Sequence, residues 1–227
     1  MSFASPNCGE RRGGARPDLI VIHYTAMASA AEARARLCDP AFEVSAHWLI
    51  SEQGGAEQLV DEALRAWHAG AGAWGAVSDV NSRSIGIELA NTGAAPFPEA
   101  QMVTLEGVLA GIMGRWGMGP ERVIAHSDMA PERKSDPGPR FDWRRLARAG
   151  LSVWPSVAAG GRSGGRPVAF RDHARRFGYP DVEEALILRA FRLRFRPWAE
   201  GPADALDTAM AEDLARRFPV DGGGAGA

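Results

Sequence analysis

Apolar residues along this chain fall into two periods, and the alternation between them predicts the fold. Residues 18–25 (DLIVIHYT), 82–91 (SRSIGIELAN) and 122–126 (RVIAH) are short runs crowded with β-branched or aliphatic side chains and read as buried strands. Residues 29–40 (SAAEARARLCDP) read instead as a helix, with Ser29 as its cap and Pro40 closing it. A longer helix spans about residues 98–116, where Met102, Leu105, Leu109 and Ile112 recur at the spacing of one helical face. Residues 46–53 (AHWLISEQ), a turn at Gly54 and Gly55, and residues 56–61 (AEQLVD) predict a hairpin. Strands interleaved with helices, one hairpin among them, give an α/β class: a central mixed β-sheet flanked by helices.

The pattern changes after Trp154. Residues 156–167 are a Gly/Ser/Pro stretch of the composition that makes flexible linkers. Beyond it, residues 168–219 carry three more helical patterns, AFRDHARRFG, VEEALILRAFRLRF and ADALDTAMAEDLARRF, the middle one with Leu188, Phe191 and Phe195 as its apolar stripe. The expected organisation is therefore a flexible start at 1–17, a main domain at 18–155, the linker, a small three-helix module at 168–219 and a disordered tail at 220–227.

Charge and composition narrow the partners. The 227 residues carry a formal net charge of -2, which supplies no long-range attraction for nucleic acid or an anionic membrane. The arginines of FRLRFRPW have acidic neighbours and read as an exposed helix face, not a nucleic-acid site. No window approaches the roughly 20 apolar residues that span a bilayer. Cys8 and Cys38 are the only cysteines and form no CxxC pair, so any metal must be held by histidine and carboxylate.

Candidate chemistry concentrates in residues 123–143 (VIAHSDMAPERKSDPGPRFDW). His126 ends an apolar strand, and Pro131, Pro137 and Pro139 stop both helix and ladder from continuing. A metal bound by His126 and Asp136 would give such a loop a reason to be ordered. His23, at the end of another strand, supplies a third ligand, and a catalytic zinc with about three N or O ligands keeps a position open for water. Glu88, on an otherwise apolar strand, is placed to take a proton from that water, and Lys134 to stabilise an oxyanion. Taken singly, Glu88 also fits a sheet-edge cap, Lys134 a solvated neighbour of Arg133, and Asp136 a turn cap before Pro137.

Taken together and in order, IVIHYTA, VSAHWLI, RAWHAG, SIGIELAN and AHSDMAPERKSDPGPRFDW resemble the AmpD/AmiD group of zinc-dependent N-acetylmuramoyl-L-alanine amidases, related in fold to peptidoglycan recognition proteins. The resemblance covers roughly residues 18–155. It implies zinc as cofactor, with His23, His126 and Asp136 as ligands, Glu88 as general base or water-positioning group and Lys134 as the catalytic lysine. His68 is implied to line the cleft, as a substrate contact or in a structural role, with Trp67, Asn91 and His47 as further candidate substrate contacts. Relatives with a cysteine ligand carry a tyrosine where this chain has Ala46, which implies the aspartate-ligand branch. The helices at 168–219 resemble the peptidoglycan-binding-like module of AmiD-type members.

The activity so implied is hydrolysis of the amide between N-acetylmuramic, or 1,6-anhydro-N-acetylmuramic, acid and L-alanine in a muropeptide, in cell-wall recycling or turnover. The alternative is a recognition protein that binds peptidoglycan without cleaving it. The expected partner is a muropeptide, with no nucleic acid, no membrane span and a monomeric state. Cys8 has no apolar run before it and no leader is visible, so the expected compartment is the cytoplasm, or the periplasm and outer membrane if translation starts elsewhere.

Overall fold

The computed structural model describes residues 4–157 and 169–220. The expected linker at 156–167 and the expected disordered tail at 220–227 lie, but for their first residues, outside that range. In chain order the elements are β1 (Cys8–Gly9), β2 (Leu19–Tyr24), α1 (Ala30–Cys38), β3 (Trp48–Ile50), β4 (Ala56–Gln58), β5 (Arg65–Ala66), α2 (Val80–Arg83), β6 (Ser84–Leu89), α3 (Glu99–Trp116), β7 (Val123–Ala125), α4 (His126–Met129), α5 (Trp143–Arg148), α6 (Phe170–Phe177), α7 (Glu184–Phe195) and α8 (Ala205–Arg217).

Five strands form the central sheet in the order β4-β3-β6-β2-β7. β3, β6, β2 and β7 run parallel, and β4 returns antiparallel from β3. The expected hairpin turn is present: Gly54 adopts a left-handed φ of 85°, and a Cβ there would lie 2.7 Å from the Ala100 carbonyl, so glycine meets both demands. At the start of α1 the Ser29 hydroxyl accepts from the Glu32 N–H at 3.2 Å, the cap that the sequence predicts.

Strand periodicity divides the core in two. Ile20, Ile22, Ile85, Ile87, Leu89, Val123 and Ala125 face one way, where Met102, Leu105, Leu109 and Ile112 of α3 cover them. Leu19, Val21 and Ile124 face the other way and share one cluster with Phe177 of α6, Phe191 and Phe195 of α7 and Leu214 of α8. The three C-terminal helices therefore share one apolar cluster with the sheet and do not close a core of their own. The apolar stripe of α7 decides where the helices dock.

Two expectations are corrected here. The arginines of α7 are not an exposed face: Arg192 and Arg194 are both buried. Arg192 pairs with Asp207 of α8 at 2.6 Å, and Arg194 donates to Asp128 at 2.6 Å, to the Val123 carbonyl at 3.0 Å and to Ser152 Oγ at 3.1 Å. The Arg194 guanidinium also lies 4.4 Å above the Trp143 ring. Acidic neighbours in sequence signalled the pairing but not its burial, which is fixed by residues distant in the chain. Of the expected flexible start, the described part from residue 4 on is likewise tied down: Ser5 Oγ donates to the Leu37 carbonyl at 2.6 Å, β1 pairs with β5, and Arg11 Nη2 donates to the Glu62 carbonyl at 2.7 Å. Short polar side chains, not an apolar run, anchor this segment. Cys8 and Cys38 are unbridged.

Removing Arg194 alone would leave the Asp128 carboxylate buried beside an unpaired environment. Arg194→Met should lower the unfolding free energy in urea by about 3–5 kcal/mol. Adding Asp128→Asn to that variant should recover much of the loss; a double variant less stable than the single one would contradict this account.

Candidate metal centre

The same two-residue period that builds the core delivers the site. On β2 the face that carries Leu19 and Val21 continues to His23, and on β6 the same face carries Ser84, Gly86 and Glu88. Parallel pairing sets His23 opposite Glu88, while Ile22 and Ile87 sit opposite each other on the α3 side. β7 adds Ile124 to this face and ends one residue earlier than the sequence suggests, at Ala125, so that His126 opens the single turn α4. The Asp128 carboxylate causes the change of course by accepting the Ala125 N–H at 2.9 Å. Asp136 then returns to the same place: its carbonyl accepts the Ser127 N–H at 3.0 Å, and the Lys134 N–H bonds the Ala130 carbonyl at 3.0 Å.

Three donor atoms converge there. His23 Nδ1 lies 2.8 Å from His126 Nδ1 and 3.1 Å from Asp136 Oδ2, and His126 Nδ1 lies 3.0 Å from the same oxygen. All three residues are buried, at 1%, 2% and 8% exposure. Buried imidazoles and a carboxylate packed this closely are the donor set of a metal ion, and among the described residues no other group of three such side chains converges. The outer contacts agree: His126 Nε2 donates to the Ala69 carbonyl at 2.9 Å, so its Nδ1 reaches the cluster as a lone pair.

Burial pushes the His23 imidazole down to about 4, and the adjacent His126 adds to the effect. For Asp136, burial acts upward, but its close contacts with His126 and His23 outweigh it and hold the carboxyl below its ordinary range. A neutral His23 imidazole beside a carboxylate suits a metal. Glu88 is pushed up to about 8 by burial and by the Asp136 charge, against the pull of Lys134, and its Oε2 is buried without a hydrogen-bond partner. A cation at the centre of the cluster would draw that carboxyl back toward its ionised form.

The cluster floors a cleft of about 430 Å³, a size suited to a small ligand, whose walls include Tyr24, Met27, Arg36, Trp67 and Lys134. Glu88, Trp67, His68 and Lys134 thus reach the cleft, together with His23, His126 and Asp136. His47 and Asn91 do not. His47 is fully buried, accepting from the Gly86 N–H at 2.9 Å on Nδ1 and facing the Leu64 carbonyl at 3.1 Å with Nε2. The Asn91 side chain is spent on its own loop, where Oδ1 accepts the Gly93 N–H at 2.7 Å and Nδ2 faces the Ala95 and Pro96 carbonyls. A histidine inside a strand and an asparagine at a strand end look alike in sequence whether they face a cleft or a turn. The sequence does not single out Arg36, which lines the cleft, or Ser84 and Asn81, which lie behind His68. Asn81 Oδ1 accepts the Ala69 N–H at 2.8 Å and the His68 N–H at 3.1 Å, fixing the loop that carries His68. The alternation Ser84, Gly86, Glu88 was the available signal for Ser84.

A model of the N-acetylmuramoyl-L-alanine amidase family matches residues 13–139, more than half of the chain. The chain belongs to this family. Among curated amidases, AmiD of Escherichia coli K12 is 37% identical over 91% of this chain and 85% of its own length. AmpD of Enterobacter cloacae is 43% identical over 45% of this chain and 55% of its own. Solved amidase structures agree. E. coli AmiD in complex with the substrate anhydro-N-acetylmuramic acid-L-Ala-D-γ-Glu-L-Lys superposes with a TM-score of 0.81 at 34% identity, covering 96% of this chain and 92% of that one. AMPDH3 of Pseudomonas aeruginosa in complex with anhydromuramic pentapeptide gives 0.80 at 32% identity, covering 92% and 95%. Among the described residues of this amidase, no helix is long and apolar enough to cross a membrane.

Beneath the centre of the amidase, burial pushes the His47 imidazole down to about 4, opposed by its bond to Leu64 and reinforced by Arg11. The unfolded chain protonates this histidine below about 6.5, whereas the folded one refuses the proton, so the stability it confers is present above that pH and is lost as pH falls toward 4. His47→Asn keeps an acceptor for the Gly86 N–H but removes the titrating group. Urea unfolding of the metal-free protein between pH 7 and pH 4 should show a shallower fall for the variant than for the wild type. An unchanged slope would remove His47 from the account.

Proposed function

We propose that this chain hydrolyses the amide joining the lactyl carboxyl of N-acetylmuramic, or 1,6-anhydro-N-acetylmuramic, acid to L-alanine in muropeptides, with zinc as its metal. The observation that carries this reading is the meeting of His23, His126 and Asp136 donor atoms within 3.1 Å of one another, at the floor of the cleft and beside the register partner of His23, Glu88. Membership of the amidase family and the anhydromuramyl peptides bound by AmiD and AMPDH3 support the substrate class.

A zinc ion held by His23, His126 and Asp136 would supply a Lewis acid that polarises the scissile carbonyl and acidifies the attacking water. Glu88 takes one proton from that water as its oxygen bonds to the carbonyl carbon. The Lys134 ammonium stabilises the negative charge that the carbonyl oxygen acquires. Glu88 then returns the proton to the alanine nitrogen as the C–N bond breaks, leaving a lactyl carboxylic acid and a peptide amine, and the acid's remaining proton passes to that amine to give carboxylate and ammonium. Trp67 and Arg36 line the way in and are suited to an extended peptide carrying carboxylates. A binding-only role would leave a partnerless buried oxygen on Glu88 with nothing to do.

Purified protein incubated with a defined anhydro-muropeptide should release the free peptide, as read by mass spectrometry, and chelation should stop the release until zinc is restored. Glu88→Gln should slow it by about 10²–10⁴-fold and Lys134→Ala by about 10²–10³-fold. Both variants should still bind one zinc per chain by elemental analysis. Full turnover by metal-free protein would overturn the metal role, and wild-type turnover by Glu88→Gln would overturn the base.

A further inference from the structure

A chain of hydrogen bonds leads away from the metal cluster into the sheet, and its polarity can be read from one end. The Ser84 hydroxyl donates its single proton to the Val80 carbonyl at 2.5 Å. The same oxygen lies 3.1 Å from His68 Nε2, so it acts there as acceptor and His68 carries its proton on Nε2. His68 Nδ1 is then a lone pair. It faces His23 Nε2 at 3.0 Å, which requires the His23 proton to sit on Nε2 and leaves His23 Nδ1 bare toward His126 and Asp136.

We infer that His68 and Ser84 are positioning residues that fix the tautomer and ring plane of His23, so that its Nδ1 lone pair is presented to the metal. The inference rests on the metal reading above and deepens it. With the His126 proton spent on Ala69, lone pairs from two imidazoles and a carboxylate point at one spot with no hydrogen among them. Such an arrangement is repulsive until a cation enters, and the stiffness of the outer bonds determines how well it is held ready.

The surroundings are shaped for this role. A Cβ at Gly86 would lie 2.4 Å from the His68 ring, so the missing side chain on β6 is the space in which that ring lies. Asn81 holds the His68 N–H at 3.1 Å, and His68 meets His23 edge to face with ring centroids 5.1 Å apart. Ser84 is fully buried beneath His68 and does not line the cleft, so it has no route to substrate. An effect of Ser84 on the metal must therefore pass through His68.

The test measures zinc affinity by competition with a chromogenic chelator, and histidine tautomers by long-range ¹⁵N–¹H correlation. Wild type should bind one zinc and show His68 and His23 protonated on Nε2. His68→Leu should weaken zinc binding by about 10–100-fold. Ser84→Ala should weaken it in the same direction by less, and His68→Asn, whose Oδ1 can accept from His23 Nε2, should restore most of it. Circular dichroism and urea midpoints of the metal-free proteins separate this from loss of fold. Wild-type zinc affinity in both His68→Leu and Ser84→Ala, or a proton on His68 Nδ1, would overturn the inference while leaving the metal site intact. Absence of zinc binding by the wild type would instead overturn the metal reading. A raised KM with unchanged zinc affinity in His68→Leu would make His68 a substrate contact and also overturn the inference.

Discussion

Everything at the cleft depends on the register with which β2 lies between β6 and β7. Parallel pairing puts His23 beside Glu88 and aligns Ala125, the residue before His126, with Ile22. Because side chains alternate, a slip of one residue on any of the three strands would turn a site residue toward the α3 side. The register is held by apolar surface: β2 and β7 send aliphatic side chains into both layers, and β6 sends Ile85, Ile87 and Leu89 toward α3. On β2 and β7 the histidines sit where the strands run out, just past the last buried aliphatic on the same face. The site is in this sense the polar continuation of the second core.

The electrostatics follow from that placement. Residues raised at the ends of buried strands are cut off from water by the elements that bury the strands, so His23 stays neutral and Glu88 resists ionisation. The tendencies that make the cluster awkward for an empty protein are those that suit a filled one. Loop geometry completes the arrangement, since Asp136 is tied through its own backbone to the turn that begins with His126.

Much of this could be read from the chain, and the limits were physical. The strands with continuous aliphatic runs and the long stripe of α3 were legible because burial on two faces or one leaves a period that needs no partner to be seen. The triad was legible because histidines at strand ends and an aspartate in a proline-bound loop have few other reasons to occur together. His47 and Asn91 were misjudged because whether a polar side chain meets a cleft or a backbone amide depends on residues far away in sequence. Arg194 is the sharpest instance: its partners Asp128, Val123 and Ser152 lie on three other segments, and only the folded chain turns a basic helix into a buried one. Ser84 is small and silent in composition, and its significance appears only when the ring above it is placed.

The shared core has a bearing on how the protein comes into being at the ribosome. β2 emerges early, yet one of its faces finds its cover only when Phe177, Phe191 and Phe195 have been made, more than a hundred residues later. Until then Leu19, Val21 and Ile124 stay open, and the Asp128 charge has no arginine. The turn that carries His126 is thus completed only by a helix made 66 residues after Asp128, so the site matures later than the strands that frame it.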